Sequence, residues 1–238
     1  MLVLALEAST PVVSAALARV ERDGDEERRD LLAEVVLAGA GTSEGLLPAV
    51  EAALSLSGRE FSEVEGIVVG LGPGTFTGIR IAAATARSLA FGSDGSVALM
   101  RGSTLAALAA PALAVRREVL AVLDARRGEV FARSFLRGEG LEVAEESILC
   151  ARPEELVADL ASASGEPLLV GDGAVRYRDE LSDLGEIPPD DSPLHRATAG
   201  GLVLSASLES VPPERVIPVY VREPDAEVRR DLNPWLRR

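Results

Sequence analysis

The segment best suited to chemistry is a glycine-rich turn between an apolar run and a run of small residues, GLGPGTFTGIRIAAATARSLA at 70–90. The N–H groups of such a turn and of a following helix attract anions. Gly72, Gly74 and Thr75 therefore form a candidate anion-binding or nucleotide-proximal loop. Alternatively, the glycines let two backbone segments approach closely. The chain lacks Lys and the Walker spacing, and this favours the packing interpretation.

A second polar group lies in LDARRGEVF, residues 123–131. Asp124, Arg126 and Glu129 form a candidate polar cluster at the mouth between two lobes, where they could contact a partner or a nucleotide. The alternative is a salt-bridged hairpin in which an arginine satisfies Asp124 and the turn carbonyls. The residue types favour the salt-bridged hairpin.

The amino-acid composition argues against catalysis by a bound metal ion or by a nucleophilic side chain. The chain has one His, His195, and one Cys, Cys150, whereas a zinc site needs three or four ligands. All 24 basic residues are Arg, which excludes a P-loop lysine and a Schiff base. We expect His195 to be a surface or helix-cap residue, and we expect no metal and no cofactor.

Charge and hydropathy narrow the class of protein further. Apolar residues make up 47% of the 238 residues and aromatic residues only 3%, so the core must be aliphatic. A net charge of -14 argues against unaided binding of nucleic acid. No apolar run approaches the roughly 20 residues that span a bilayer. The opening MLVLALEAST lacks a charged leader region and predicts a strand. We expect a cytoplasmic protein without membrane contact.

The elements that position these residues form two α/β halves. The first half has the order β-β-β-α-β-α, which is typical of the ribonuclease-H-like lobe of actin-like proteins. Its predicted elements are strands at 2–6, 12–20 and 31–37, a helix capped by Thr42 or Ser43 and ending at Ser57, a strand at 67–71 and a helix at 75–91. The charged residues 21–30 between the second and third strands predict a turn at Asp23-Gly24.

The second half repeats this theme more loosely. Its predicted elements are a helix from Ser103 to Ala114, strands at 119–125, 129–136 and 141–149, a helix at 153–163, a strand at 168–170 and a helix at 194–208. We predict an N-terminal lobe of residues 1–102 and a C-terminal lobe of residues 103–238. The tail from residue 212 is predicted to be peripheral and to fold back on the first lobe.

Several motifs at ordered spacing resemble one family. GPGTFTGIRIA at 72–82 closely resembles the signature of the TsaB (YeaZ) family. The resemblance continues through LALEAST at 4–10, TSEGLLPAV at 42–50, STLAALA at 103–109, LDARRGEVF at 123–131 and IPVYVRE at 217–223. The match therefore extends along most of the chain.

The resemblance implies an actin-like (ASKHA, ribonuclease-H-like) two-lobe fold with mixed sheets flanked by helices. It implies a non-catalytic paralogue of TsaD, the enzyme that transfers threonylcarbamoyl to adenosine in tRNA. Such a subunit would form a heterodimer with TsaD, work with the ATPase TsaE, form a homodimer when alone and meet tRNA only through the complex. The predicted partner-binding residues lie on the two helices of the first lobe: Leu47, Val50, Leu54, Ile79, Ala83 and Ala86.

Two positions depart from the family pattern. Glu7 stands where relatives often have Asp on the first strand, and Gly41 stands where relatives often have His. The longer side chain of Glu7 would displace a Mg²⁺-water arrangement. An actin-like ATPase or phosphotransferase is the alternative function, and this substitution argues against it.

Overall fold

The computed structural model describes residues 1–24, 26–39, 41–141, 143–160 and 165–222. It contains two mixed β-sheets. The strands of the first sheet all come from residues 2–102, and those of the second from residues 118–170. The predicted α/β fold with mixed sheets is confirmed, while the lobe boundary at residue 102 remains a prediction.

The first sheet has five strands in the order β3-β2-β1-β4-β5. The strands are β1 (Leu2–Glu7), β2 (Val12–Asp23), β3 (Glu26–Ala38), β4 (Gly66–Gly70) and β5 (Ala98–Gly102). β1, β2 and β3 form an antiparallel meander, and β4 and β5 run parallel to β1. β1 is buried along its whole length, which explains why its sequence is apolar at nearly every position rather than alternating.

Helices cover both faces of this sheet. Leu4 and Leu6 pack with α1 (Thr42–Ser57) and α2 (Phe76–Gly92) on one face. Val3 and Ala5 point to the opposite face, because successive strand residues alternate. There they pack with α7 (Ala199–Ser205).

The second sheet has the order β8-β7-β6-β9. Its strands are β6 (Glu118–Arg126), β7 (Glu129–Leu136), β8 (Leu149–Ala151) and β9 (Leu168–Val170). The flanking helices are α3 (Thr104–Leu113), α4 (Pro153–Leu160), α5 (Asp172–Arg176) and α6 (Arg178–Leu181). α3 packs on β6 and against α7, so it lies between the two sheets.

The segment after α7 returns to the first sheet. The N–H of Val211 donates to the carbonyl of Leu99 at 2.7 Å, and the N–H of Val219 donates to that of Leu71 at 2.8 Å. Residues 211–219 therefore lie along the first sheet. The remainder of the predicted tail, from residue 223 onward and including Trp235, is outside the described residues.

Four local predictions were wrong in part. Residues 21–30 extend β2 and β3 instead of forming a long turn, although Gly24 does take a left-handed φ of 62°. The N-cap of α1 is Gly41 rather than Thr42 or Ser43. Of the described residues in the predicted strand at 141–149, only Leu149 lies in a strand, β8, and a 3-10 turn at Glu145–Ser147 precedes it.

The fourth concerns the predicted helix at 194–208, which is a 3-10 turn at Pro193–His195 followed by α7. Thr198 interrupts it, because its side chain accepts a hydrogen bond from the N–H of Gly201 and begins a new helix there. The predicted helix at 153–163 is described only as far as Leu160.

Candidate functional site

Glu7 stands at the end of β1, where an actin-like nucleotide site would begin, and its side chain is fully buried. One carboxylate oxygen accepts the N–H of Ser9 at 2.6 Å, and the other accepts the Thr104 hydroxyl at 3.2 Å. Burial raises the pKa of Glu7, although these hydrogen bonds oppose the shift. A carboxyl group enclosed in this way supports the fold and does not face an open cleft.

The glycine-rich turn packs against the loop that follows β1. The N–H of Thr75 donates to the carbonyl of Ser9 at 2.6 Å. A Cβ on Gly74 would collide with the backbone of Ser9, and one on Gly78 would collide with that of Ala8. These contacts match the packing interpretation of the glycines. The anion-binding role of Gly72, Gly74 and Thr75 remains a prediction.

The polar cluster in the β6–β7 hairpin is held by ion pairs. The Asp124 carboxylate lies 3.2 Å from a guanidinium nitrogen of Arg126 and 3.1 Å from one of Arg176. Glu129 instead pairs with Arg222 at 2.7 Å, so it is tied to the C-terminal segment. Asp124 and Arg126 thus form the salt-bridged hairpin that the residue types favoured, and Arg176 and Arg222 are participants that the hairpin sequence alone did not indicate.

Asp172 and His195 lie near this hairpin. Asp172 accepts the N–H of Asp124 at 3.0 Å, and burial, with the neighbouring Asp124 charge, raises the pKa of Asp172. His195 is buried, contrary to the prediction of a surface or cap residue. Its Nδ1 accepts the N–H of Gly171 at 3.1 Å, and its Nε2 lies 3.2 Å from the carbonyl oxygen of Pro188. The ring is therefore a structural link between two loops.

Part of the predicted partner surface is buried in the chain's own core. Val50, Ala83 and Ala86 belong to the core between the first sheet and the helices that cover it, and Leu54 is partly buried against the same core. Ile79 is also buried, at 1% exposed. Only Leu47, at 50% exposed, is open to a partner. The sequence predicts that these six side chains face a partner, whereas four of them are buried within the chain itself.

The outer face of α2 carries different residues. They recur at intervals of three and four positions, so they form one stripe. The stripe consists of Phe76, Arg80, Ala84, Arg87 and Phe91, all exposed. The outer face of α1 presents Leu47 between Glu44 and Glu51. The sequence signal was available, since large aromatic residues interrupt an otherwise small-residue helix at this spacing.

Within the described residues, no group of three or more His, Cys, Asp or Glu side chains is placed to hold a metal ion. No helix in that part of the chain is long and apolar enough to cross a membrane.

The strand orders and flanking helices define an α/β protein of the actin-like class. YeaZ from Pseudomonas aeruginosa has the same fold, with a TM-score of 0.73 and 27% identity over 92% of this chain and 99% of that one. The tRNA threonylcarbamoyladenosine biosynthesis protein TsaB of Escherichia coli (strain K12) is 30% identical over 229 residues, covering 93% of this chain and 95% of that protein.

Two further comparisons agree. The TsaB protein of Haemophilus influenzae is 36% identical over 135 residues, covering 56% of this chain and 53% of that protein. Residues 37–157 match the family model described as TsaD, tRNA N6-adenosine threonylcarbamoyltransferase. The chain belongs to the TsaB family, as the motifs predicted.

Proposed function

We propose that this chain is a non-catalytic subunit of the machinery that forms N6-threonylcarbamoyladenosine in tRNA, and that it binds and activates TsaD. The observation that carries the proposal is the similarity to Escherichia coli TsaB over 93% of the chain. Two acidic side chains support a non-catalytic role. Glu7 is buried and Asp124 forms ion pairs with Arg126 and Arg176, so both carboxylates already have partners within the chain.

The outer faces of α1 and α2 are the surface that we propose for the partner. Phe91 is 88% exposed and Phe76 is 46% exposed, although aromatic residues are rare in this chain. Exposed apolar side chains in one stripe favour a partner surface. A stable heterodimer would bury roughly 1,600 Å² in total.

Charge on the same two helices supports a homodimer when the chain is alone. The outer face of α2 presents Arg80 and Arg87, whereas that of α1 presents Glu44 and Glu51. Two copies related by a twofold axis could place each basic helix against an acidic one. TsaD would replace the second copy in the working complex, with TsaE joining later and tRNA bound through the assembly.

The test is a reconstitution with tRNA, threonylcarbamoyl-adenylate, TsaD and TsaE. Omission of this chain should abolish multiple-turnover product, whereas full activity without it would overturn the proposal. Phe91→Arg and Leu47→Arg should prevent association with TsaD while the fold survives, because both side chains are exposed. Ala83→Arg is unsuitable, since Ala83 lies in the core.

Val115→Arg is the matched control. Val115 is 69% exposed but lies after α3, away from both helices, so the variant should associate and support activity normally. Asp124→Ala should retain most activity if it still binds TsaD. Loss of activity in a folded, fully associated Asp124→Ala variant would contradict the silent role.

A further inference from the structure

A groove of about 1000 Å³, called the α2 groove below, lies beside the C-terminal half of α2. Its apolar lining includes Val97 and Leu99 from around the start of β5, and Val211 and Pro213 from the segment that returns to the first sheet. Phe91 also lines the groove and is largely exposed. Exposed apolar side chains gathered around a groove mark an interaction site.

The α2 groove continues the exposed stripe of α2. The stripe begins at Phe76 and reaches the groove through Arg80 and Arg87. In the described part of the chain neither guanidinium belongs to an ion pair, and Arg80 instead lies over the Phe76 ring, 4.7 Å from its centroid. Two such arginines next to an apolar groove fit a ligand whose acidic part is followed by an apolar part.

The described part of the chain ends at the other end of the same stripe. The centroid of the Tyr220 ring lies 5.5 Å from that of Phe76, and Arg222 is the last described residue. Phe76 and Phe91 are 15 positions apart in α2, which corresponds to roughly 22 Å along a helix. The 13 residues from Arg222 to Trp235 can span about 43 Å. Trp235 can therefore reach the α2 groove.

Residues 223–238 carry their charged and aromatic groups in a defined order. Three acids come first, then a pair of arginines, one further acid, one large aromatic residue and a second pair of arginines: Glu223, Asp225, Glu227, Arg229, Arg230, Asp231, Trp235, Arg237 and Arg238. The segment therefore has the acidic and then apolar character that the stripe and the groove fit.

The outer face of α2 offers complementary groups in the same order. From its first turn onward these are Arg80, Arg87, the α2 groove and then Asp94 just after the helix. A segment that lies alongside α2 from its N-terminus to its C-terminus places acids on the two arginines, Trp235 in the groove and an arginine near Asp94. Pro224-Asp225 consists of residue types that favour the chain reversal at the start of this path.

We propose that residues 223–238 bind the outer face of α2 within the same chain, with Trp235 in the α2 groove, and that they compete there with TsaD. The competition rests on the proposed function, whereas the docking itself does not. TsaD or a second copy would need the side chains that the segment covers. The segment is therefore an internal competitor that lowers the apparent affinity for a partner by reducing the fraction of chains with a free face.

The fluorescence of Trp235 reports the docking directly, since the sequence has one Trp. In the purified full-length chain, acrylamide should quench Trp235 several-fold less than it quenches N-acetyltryptophanamide, and dilution should not change this protection. Phe91→Ser and Arg87→Glu should each raise quenching towards the free value. Quenching of the parent chain at the free rate, unchanged protection in both variants, or protection lost on dilution would overturn docking within the chain.

A charge exchange tests the path along α2. Asp231→Arg should expose Trp235, and combining it with Arg87→Glu should restore protection, because the pair is rebuilt with reversed signs. Arg117→Glu is the matched control, since Arg117 is an exposed arginine between α3 and β6, and it should be quenched like the parent chain. Exposed Trp235 in the double variant as well as in both single variants would overturn the proposed path.

Affinity for TsaD, measured by calorimetry, separates the competition from the proposed function. Trp235→Ala should bind TsaD several-fold more tightly than the parent chain, since it weakens the internal competitor. Equal affinities of Trp235→Ala and a parent chain with protected Trp235 would overturn the competition. Absence of TsaD binding in every variant would overturn the proposed function and the competition together, and the docking would still be decided by the quenching measurements alone.

Discussion

The hydroxyl of Thr104 donates a hydrogen bond to Oε2 of Glu7 at 3.2 Å, although 97 positions separate the two residues. Glu7 ends β1, and Thr104 begins α3, the helix that lies between the two sheets. Gly70 makes the contact possible, because a Cβ at that position would collide with the Glu7 carboxylate. The acid at the end of the first strand thus links the first sheet to the helix that leads into the second.

The first prediction concerns the pH dependence of stability. Burial raises the pKa of Glu7, so the folded protein favours its protonated form. The stability that this group contributes is therefore fully present below the ordinary Glu pKa of about 4.3, and it is lost as pH rises through the higher folded-state value. Glu7→Gln mimics the neutral form and should lack this dependence.

Urea unfolding of the two proteins between pH 4 and pH 8 measures the effect. The free energy of unfolding of the parent chain relative to Glu7→Gln should fall as pH rises. A difference that stays constant or grows with pH would contradict this prediction. Glu7→Ala should cost about 1–3 kcal/mol near pH 4, since two buried donors lose their acceptor, and this cost should decrease as pH rises, as for Glu7→Gln.

The second prediction compares two glycines of α2. A Cβ on Gly78 would overlap the backbone carbonyl of Ala8, whereas a Cβ on Gly92 would meet nothing within 4 Å. Gly78→Ala should destabilise the protein by about 2–4 kcal/mol, as overpacking at a rigid contact does. Gly92→Ala should be neutral or stabilising by up to about 1 kcal/mol. Equal midpoints in urea for the two variants would refute the close-approach explanation.

The third prediction concerns the buried ring of His195. Its Nδ1 accepts the N–H of Gly171 at 3.1 Å, and removal of the ring leaves this donor unsatisfied. His195→Ala should therefore lower the free energy of unfolding by about 2–4 kcal/mol, through the lost hydrogen bond and a cavity. Arg196→Ala is the control, since Arg196 is an exposed neighbour. A change below 0.5 kcal/mol, the usual limit for surface sites, would show that the link is unimportant.

The fourth prediction concerns α7. Side chains of β2 and β3 form hydrogen bonds to its N-terminal end, and a side chain of β3 forms them to its C-terminal end. Ser14 accepts the N–H of Ala199 at 2.9 Å, and Glu34 accepts that of Gly200 at 2.6 Å. Arg29 donates to the carbonyls of Val203 and Ala206 near the other end, at 2.6 and 3.0 Å. The negative charge of Glu34 lies at the N-terminal end of α7 and the positive charge of Arg29 near its C-terminal end, and each sign stabilises the helix end that it faces.

Arg29→Ala should cost about 1–2 kcal/mol of unfolding free energy, because a charged donor to helix carbonyls is lost. Arg28→Ala is the matched control, since the neighbouring Arg28 forms an exposed pair with Asp30; it should change stability by less than about 0.5 kcal/mol. Hydrogen exchange of the α7 amides should increase in Arg29→Ala alone. Equal hydrogen exchange in both variants would show that Arg29 does not stabilise α7.

The sequence by itself determined the family, the fold class and most of the elements. The continuous apolar run of β1 and the GPGTFTG turn before α2 are local patterns, and each leads directly to a strand or a turn. The sequence predicted Ile79, Ala83 and Ala86 as residues that contact a partner, whereas the structure buries them within the chain. What spacing cannot decide is whether an apolar stripe covers the chain's own sheet or a partner, because both surfaces remove the same side chains from water.

Tertiary structure decided the contacts between residues distant in sequence. Glu129 pairs with Arg222, while His195 reaches the turn at Gly171 and the charged run around Arg29 meets the end of α7. Each depends on how the two sheets and the returning segment are placed, and that placement results from packing over the whole chain. For the same reason no single motif indicates the cavity that Phe76, Arg126 and Tyr220 line, because its walls come from three segments that meet only after folding.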